Sequence, residues 1–143
     1  MALLKQHSDF PDSLNVLTGE VMDCFYQVHQ ELGAGYTENI YEEACCIEFQ
    51  RKGLSFEKQK SIPIFYKGEV LNNNFRLDLV VENEILIELK AVEHVLPVHQ
   101  AQIYSYLKAT KYPIGFLVNF NVSLIKEGVR RYVNKTPKLQ NSA

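Results

Sequence analysis

A chain of 143 residues has room for one hydrophobic core but not two, so one domain over residues 1–143 is expected. Hydrophobic residues at 46% and charged residues at 22% are ordinary values, and the opening MALLKQHSDFPDS lacks the apolar run of a signal peptide. No segment approaches the roughly 18 apolar residues of a membrane span, the net charge of −2 argues against a bulk nucleic-acid coat, and a cytoplasmic protein is expected.

After a polar lead-in, Leu14, Leu17, Val21, Cys24, Phe25, Val28 and Leu32 recur at helical spacing, and Gly33 follows as glycine does past a last turn. Thr37 fits the N-cap of a second helix, with Glu38 at its first position. Ile40, Tyr41, Ala44 and Cys45 are its expected buried stripe, and Gly53 its stop. IPIFYKGEVL reads as an alternating strand and turn, and LDLVVENEILIELK, Leu77 to Lys90, as two short apolar strands around a polar turn. Pro97 opens a third helix where its missing N–H costs nothing, and that helix is expected to reach about Thr110. PIGFLVNF reads as a strand buried on both faces, KEGVRRYVN as a last strand, and TPKLQNSA as a frayed end. The order α, α, β, β, β, α, β, with a possible final β, predicts a mixed sheet covered by helices, in the α/β or α+β class.

Cys24, Cys45 and Cys46 are odd in number and lack metal-type spacing, which reads as reduced thiols. Charge is unevenly spread: residues 1–57 hold ten acids against three bases, and residues 58–143 hold twelve bases against seven acids. Lys126, Arg130, Arg131, Lys135 and Lys138 make the end of the chain basic. Such a half follows a phosphate backbone, or is a solvated face with a loose tail.

The hairpin carries charge where a core strand should not. Side chains alternate across a strand, so Asp78, Glu88 and Lys90 share one face. With the turn centred on Asn83, Asp78 lies opposite Glu88, and Leu77, Leu79, Val81, Ile85, Ile87 and Leu89 form a wholly apolar opposite face. Opposed like charges destabilise a sheet, and Lys90 offsets only part of the repulsion. Two carboxylates a few ångströms apart suit a hard cation such as Mg²⁺ or Mn²⁺, and a neighbouring ammonium suits the handling of an attacking water. The competing reading is a surface hairpin with Asp78 and Lys90 exposed and paired diagonally, which Arg76 on the same face supports.

Asp78 followed by Glu88-Leu89-Lys90 across a hairpin resembles the PD-(D/E)XK nuclease superfamily. Gly35-Tyr36-Thr37-Glu38-Asn39-Ile40-Tyr41 is similar to the G-x-x-E-x-x-Y signature of a small bacterial family within it. VHQELGAGYTENIYEEA, EKQKSIPIFYKG, RLDLVVENEILIELKAVE, HQAQIYSYLK and GFLVNF follow in family order, so the resemblance spans roughly residues 14–133. It implies a restriction-endonuclease-like core: a helix, a three-stranded meander, a helix and a further strand. It also implies that Asp78, Glu88 and the Leu89 carbonyl bind a divalent ion, with Lys90 at the attacking water. Glu38 would match the extra acid of exonuclease-like branches, although an acid in a first helical turn also complements the helix dipole.

On the third helix His99, Gln102 and Tyr106 fall in one narrow sector bordered by Val98, Ile103 and Ala109. Polar groups in an apolar stripe need partners. In related nucleases a glutamine and a tyrosine one turn later lie beside the active site; Gln102 and Tyr106 match that placement. The alternative is a buried network holding helix to sheet, the favoured reading for His99 and Tyr106. Gly35 is assigned to the backbone between helices and Tyr41 to the core. No phosphate loop, dinucleotide fingerprint or nucleophile elbow occurs.

Two functions follow. One is a Mg²⁺- or Mn²⁺-dependent nuclease, acting on DNA in preference to RNA, with Asp78, Glu88, Lys90 and Gln102 at its centre. The other is a non-catalytic nuclease-like module that binds nucleic acid or protein. The absence of a second domain makes a homodimer or another protein partner plausible under either.

Overall fold

The computed structural model describes residues 10–134. Lys135, Lys138 and the expected frayed end at TPKLQNSA lie outside the described residues. Helix α1 (Asp12–Leu32) precedes α2 (Glu38–Arg51), then β1 (Phe56–Tyr66), β2 (Glu69–Val81), β3 (Ile85–Lys90), α3 (Pro97–Thr110), β4 (Ile114–Asn119), the single turn α4 (Ile125–Gly128) and β5 (Val129–Val133). This is the expected order with the final strand present, except that residues 126–128, read as the start of that strand, lie in the turn α4. The strands form one sheet in sequence order, antiparallel except for the parallel β3–β4 pair, which α3 connects.

Both faces of the sheet are covered. On one, Val21, Phe25, Val28, Tyr41 and Phe49 of α1 and α2 pack on Leu79, Ile87, Leu89, Phe116 and Phe120. On the other, Ile103 and Leu107 of α3 pack on Leu77, Val80, Leu86 and Leu117. Every residue of β4 is buried, as its continuous apolar run requires of a central strand.

Two expectations about buried faces need correction. Ile40 is 41% exposed, and Phe49 takes its place in a line with Tyr41 and Cys45, because α2 meets the core along a narrow strip. Val98 is likewise exposed: α3 buries only Ile103 and Leu107 fully, and its first turn stands clear of the sheet.

Strand β2 is also longer than LDLVVENEILIELK indicates. Only Leu79–Val81 of β2 pair with β3, whereas β2 pairs with β1 back to Glu69, forming a two-stranded ribbon. Its turn, Lys67-Gly68, has φ values of 50° and 84°, the left-handed pair that lets a two-residue loop match strand twist. Pro63, Lys58 and Lys60 on the edge strand β1 deter pairing with another sheet.

Two glycines give a contrast. At Gly128, where α4 passes into β5, a β-carbon would overlap the Asn119 carbonyl oxygen and crowd Val122; at Gly19, in mid α1, nothing lies within 4 Å of one. Gly128→Ala is expected to destabilise by about 1–3 kcal/mol and Gly19→Ala to stabilise by about 0.5–1 kcal/mol, both read from urea denaturation.

Candidate active site

The β2–β3 ladder pairs Val81 with Ile85, Val80 with Leu86 and Leu79 with Ile87, so Asp78 and Glu88 come next, in the register expected. The ladder stops there. The Asp78 main-chain N–H donates instead to Glu88 Oε2 at 3.0 Å, and the Leu89 N–H donates to Asp78 Oδ2 at 2.8 Å. Each carboxylate thus reaches across to the other strand's backbone. On the far side of β2, Gln59 has a φ of 53° and no pair joins it to Asp78.

The phase of β2 changes across Asp78, where the pairing with β1 lapses. Phe75 and Leu77 pack on the α3 side with Val80, whereas Leu79 and Val81 pack toward α1 and α2. Leu77 therefore leaves the apolar face that strict alternation assigned to it.

Glu88 is 7% exposed and Asp78 is half-buried, which removes the surface-hairpin reading for the pair. Lys90 forms no ion pair with either among the described residues, and Arg76 lies exposed in the ribbon. Burial raises the pKa of Asp78, against the Leu89 hydrogen bond, which lowers it. Glu88 is pushed up to about 8, first by burial and then by the Asp78 charge; the Asp78 N–H and Lys90 oppose this.

Lys90 ends β3, and its place is fixed by the strand beside it. The Phe120 N–H donates to the Lys90 carbonyl at 3.0 Å. Buried Asn119, opposite Lys90 in the parallel ladder, accepts from Val92 N–H at 3.1 Å through Oδ1 and donates to the Val92 carbonyl at 2.9 Å through Nδ2. The chain leaving β3 is thereby clamped. Sequence reasoning missed Asn119; its signal is a lone amide at the end of an otherwise apolar strand.

Glu38 is the first residue of α2, exposed, beside an open hollow of about 460 Å³ that Gly35, Thr37 and Ala91 also line. Its charge is the smallest of the causes that raise the pKa of Asp78 and Glu88. Glu42, one turn on, also raises Asp78 and accepts a hydrogen bond from Gln59 Nε2 at 2.6 Å. Glu42 was missed because a second acid on an exposed helix reads as solvated surface. Tyr41 holds the loop before α2: its hydroxyl donates to the Gly33 carbonyl at 2.6 Å and accepts from Tyr36 N–H at 3.2 Å. Its ring stacks on Phe120 at 4.4 Å. Gly35 has a φ of 109°, a backbone that only glycine adopts readily. Thr37 is the N-cap by position, without a side-chain capping bond.

Helix α3 closes the other side. His99 Nδ1 accepts from Leu96 N–H at 3.1 Å, so in the neutral ring the proton lies on Nε2. Burial and then the Lys90 charge lower its pKa, while Glu38 raises it. Tyr106 stacks on Phe75 with ring centres 4.5 Å apart, and burial, Glu88 and Asp78 raise its pKa. Gln102 is exposed, makes no hydrogen bond among the described residues, and lines with Tyr106 a groove of about 790 Å³ between α3 and the ribbon. Asp78, Glu88 and Lys90 therefore come together, Glu38, His99 and Tyr106 border them, and Gln102 faces the adjoining groove.

Two oxygen donors, buried side by side at mutual electrostatic cost, fit a hard divalent cation. No group of three or more His, Cys, Asp and Glu side chains able to hold a metal occurs among the described residues, so the pair would need backbone, water or substrate oxygens to complete a shell. Raised carboxylate pKa values mean that the folded chain binds protons more tightly than the unfolded one. Metal-free stability should then fall as pH rises from 4.5 toward about 8. Asp78→Asn is expected to raise the melting temperature at pH 8 by several degrees and flatten that slope; midpoints measured across the pH range check it.

No described helix is long and apolar enough to cross a membrane. No curated protein matches the chain. A crystal structure of SSO0001 is similar with a TM-score of 0.46 and 20% identity over 73% of this chain and 52% of that one, so this chain spans about half of that protein's length. A family model described as the PD-(D/E)XK nuclease superfamily matches residues 15–132, nearly all of the sheet and its covering helices, and the chain belongs to that superfamily.

Proposed function

We propose that the chain is a Mg²⁺- or Mn²⁺-dependent nuclease of the GxxExxY family that hydrolyses phosphodiester bonds, with DNA its preferred substrate. The observation carrying this reading is the buried Asp78–Glu88 pair, each with a raised pKa, beside the clamped Lys90. Superfamily membership supports a nucleic-acid substrate.

In this mechanism Asp78, Glu88 and the Leu89 carbonyl would hold the cation, and Glu38 would add negative charge at the mouth. A divalent cation supplies Lewis-acid stabilisation of charge developing on the phosphoryl group and lowers the pKa of water. Lys90 orients the attacking water, its place set by the Phe120 bond and the Asn119 clamp. Gln102, on the groove, contacts the phosphodiester strand; Phe75 and Tyr106 offer it a stacked aromatic wall. A proton on Glu88 would compete with a cation for the carboxylate, so metal-dependent activity should rise as pH approaches about 8.

A non-catalytic binding module is favoured by one observation: the described residues hold no preassembled cluster of three ligands. Two measurements separate the readings. Mn²⁺ should raise the melting temperature of the wild type but not of Asp78→Asn, since a ligand of the folded state alone must stabilise it. Cleavage of DNA should fall by roughly 10²-fold or more in Asp78→Asn and in Lys90→Ala, with folding retained. Salt-sensitive nucleic-acid binding without cleavage in either metal would establish the module instead.

A further inference from the structure

Between α1 and the β4–β5 side of the sheet lies a cavity of about 360 Å³, lined by Thr18, Gly19, Met22, Phe116, Lys126 and Arg131 among others. It shares no residue with the candidate active site. Arg131 stands opposite Phe116 in the β4–β5 ladder. Its Nε and Nη2 are buried without a hydrogen-bond partner, and no ion pair reaches it among the described residues. Burial lowers its pKa, the sign of a guanidinium withdrawn from water. Lys126 and Arg130, its neighbours in the basic stretch, are exposed, so among the described residues of that stretch Arg131 alone is turned inward.

Arg131 is half-buried, but two guanidinium donors buried without an acceptor are costly, and proteins normally match such donors with a carboxylate or phosphate. Here the facing helix presents no side chain at the cavity rim: Gly19 is exposed and has nothing within 4 Å of where a β-carbon would stand, although glycine in mid-helix is unfavourable. Thr18 Oγ1 is already committed to the Asn15 carbonyl at 2.8 Å. Much of the remaining lining, Met22, Phe116 and Val129, is apolar. A mostly apolar hollow with a few convergent polar groups is the usual form of a small-ligand site.

We propose that this cavity binds a small organic anion, with a planar carboxylate head paired to the Arg131 fork and a compact apolar body against Met22 and Phe116 in the space beside Gly19. The planar guanidinium matches a carboxylate in two parallel hydrogen bonds, and Lys126 adds a second positive charge. An occupied site ties α1 to β5.

The test uses the full chain and benzoate as probe, titrated at constant ionic strength while the melting temperature is followed. Benzoate should raise the midpoint saturably; benzamide, its neutral counterpart, should not. Arg131→Met should melt no lower than the wild type in the absence of benzoate and should lose the benzoate response. Arg131→Lys, which keeps charge but not the fork, should need roughly tenfold more benzoate. Gly19→Leu, which sets an apolar side chain at the cavity rim without changing charge, should also lose the response, and it decides the matter if Arg131→Met does not fold. The proposal is overturned if chloride or benzamide stabilises as well as benzoate, or if the response survives in Arg131→Met or Gly19→Leu. A response to inorganic phosphate without one to benzoate would overturn the apolar-body assignment. The readout involves neither metal nor cleavage, so it stands apart from the nuclease reading.

Discussion

The arrangement of the site depends on one exchange of hydrogen bonds. Where β2 and β3 should continue their ladder, Asp78 and Glu88 each take a main-chain N–H from the opposite strand. This holds the strands together while keeping two acid side chains at the point where they part. Opposed carboxylates within a regular ladder would repel with no compensation. Here each accepts a backbone donor, which offsets part of the cost, and burial leaves the rest as raised pKa values. A pair held in this state has more to gain from a cation than one already satisfied by lysine.

The helical side of the site follows from the loop between α1 and α2. Gly35 takes a backbone that other residues resist, and the Tyr41 hydroxyl ties Gly33 and Tyr36 together from within the core. Glu38, one turn before Tyr41, is thereby held where its charge acts on Asp78 and Glu88. The spacing G-x-x-E-x-x-Y thus has a physical content. Glycine turns the chain, tyrosine fastens the turn, and the acid between them is delivered to the mouth of the site.

Much of this was legible along the chain. Helical periodicity and a glycine stop placed α1, Pro97 placed the start of α3, and the continuous apolar run of β4 announced a central strand. The even-numbered charges of the hairpin announced the pair, because register about a short turn is nearly forced. What was not legible required the third dimension. Leu77 changes face across the point where Asp78 and Gln59 leave the β1–β2 ladder, an event that alternation cannot foresee. Ile40 and Val98 are exposed because their helices meet the sheet along narrow strips, and helical spacing gives the direction of a face but not its width. Glu42 and Asn119 act across distances of many residues, one as a further charge and one as a clamp.

The order of elements, the mixed sheet and the facing carboxylates were determined by the sequence alone, since each rests on local periodicity or on register across a short turn. The tertiary structure decided which charges are buried, which stand unpaired and which hollows they line. Burial depends on what is packed against a residue, and Arg131 illustrates the limit. Along the chain it is one member of a basic run, and only the packing of α1 over β5 turns it inward with two donors unmet.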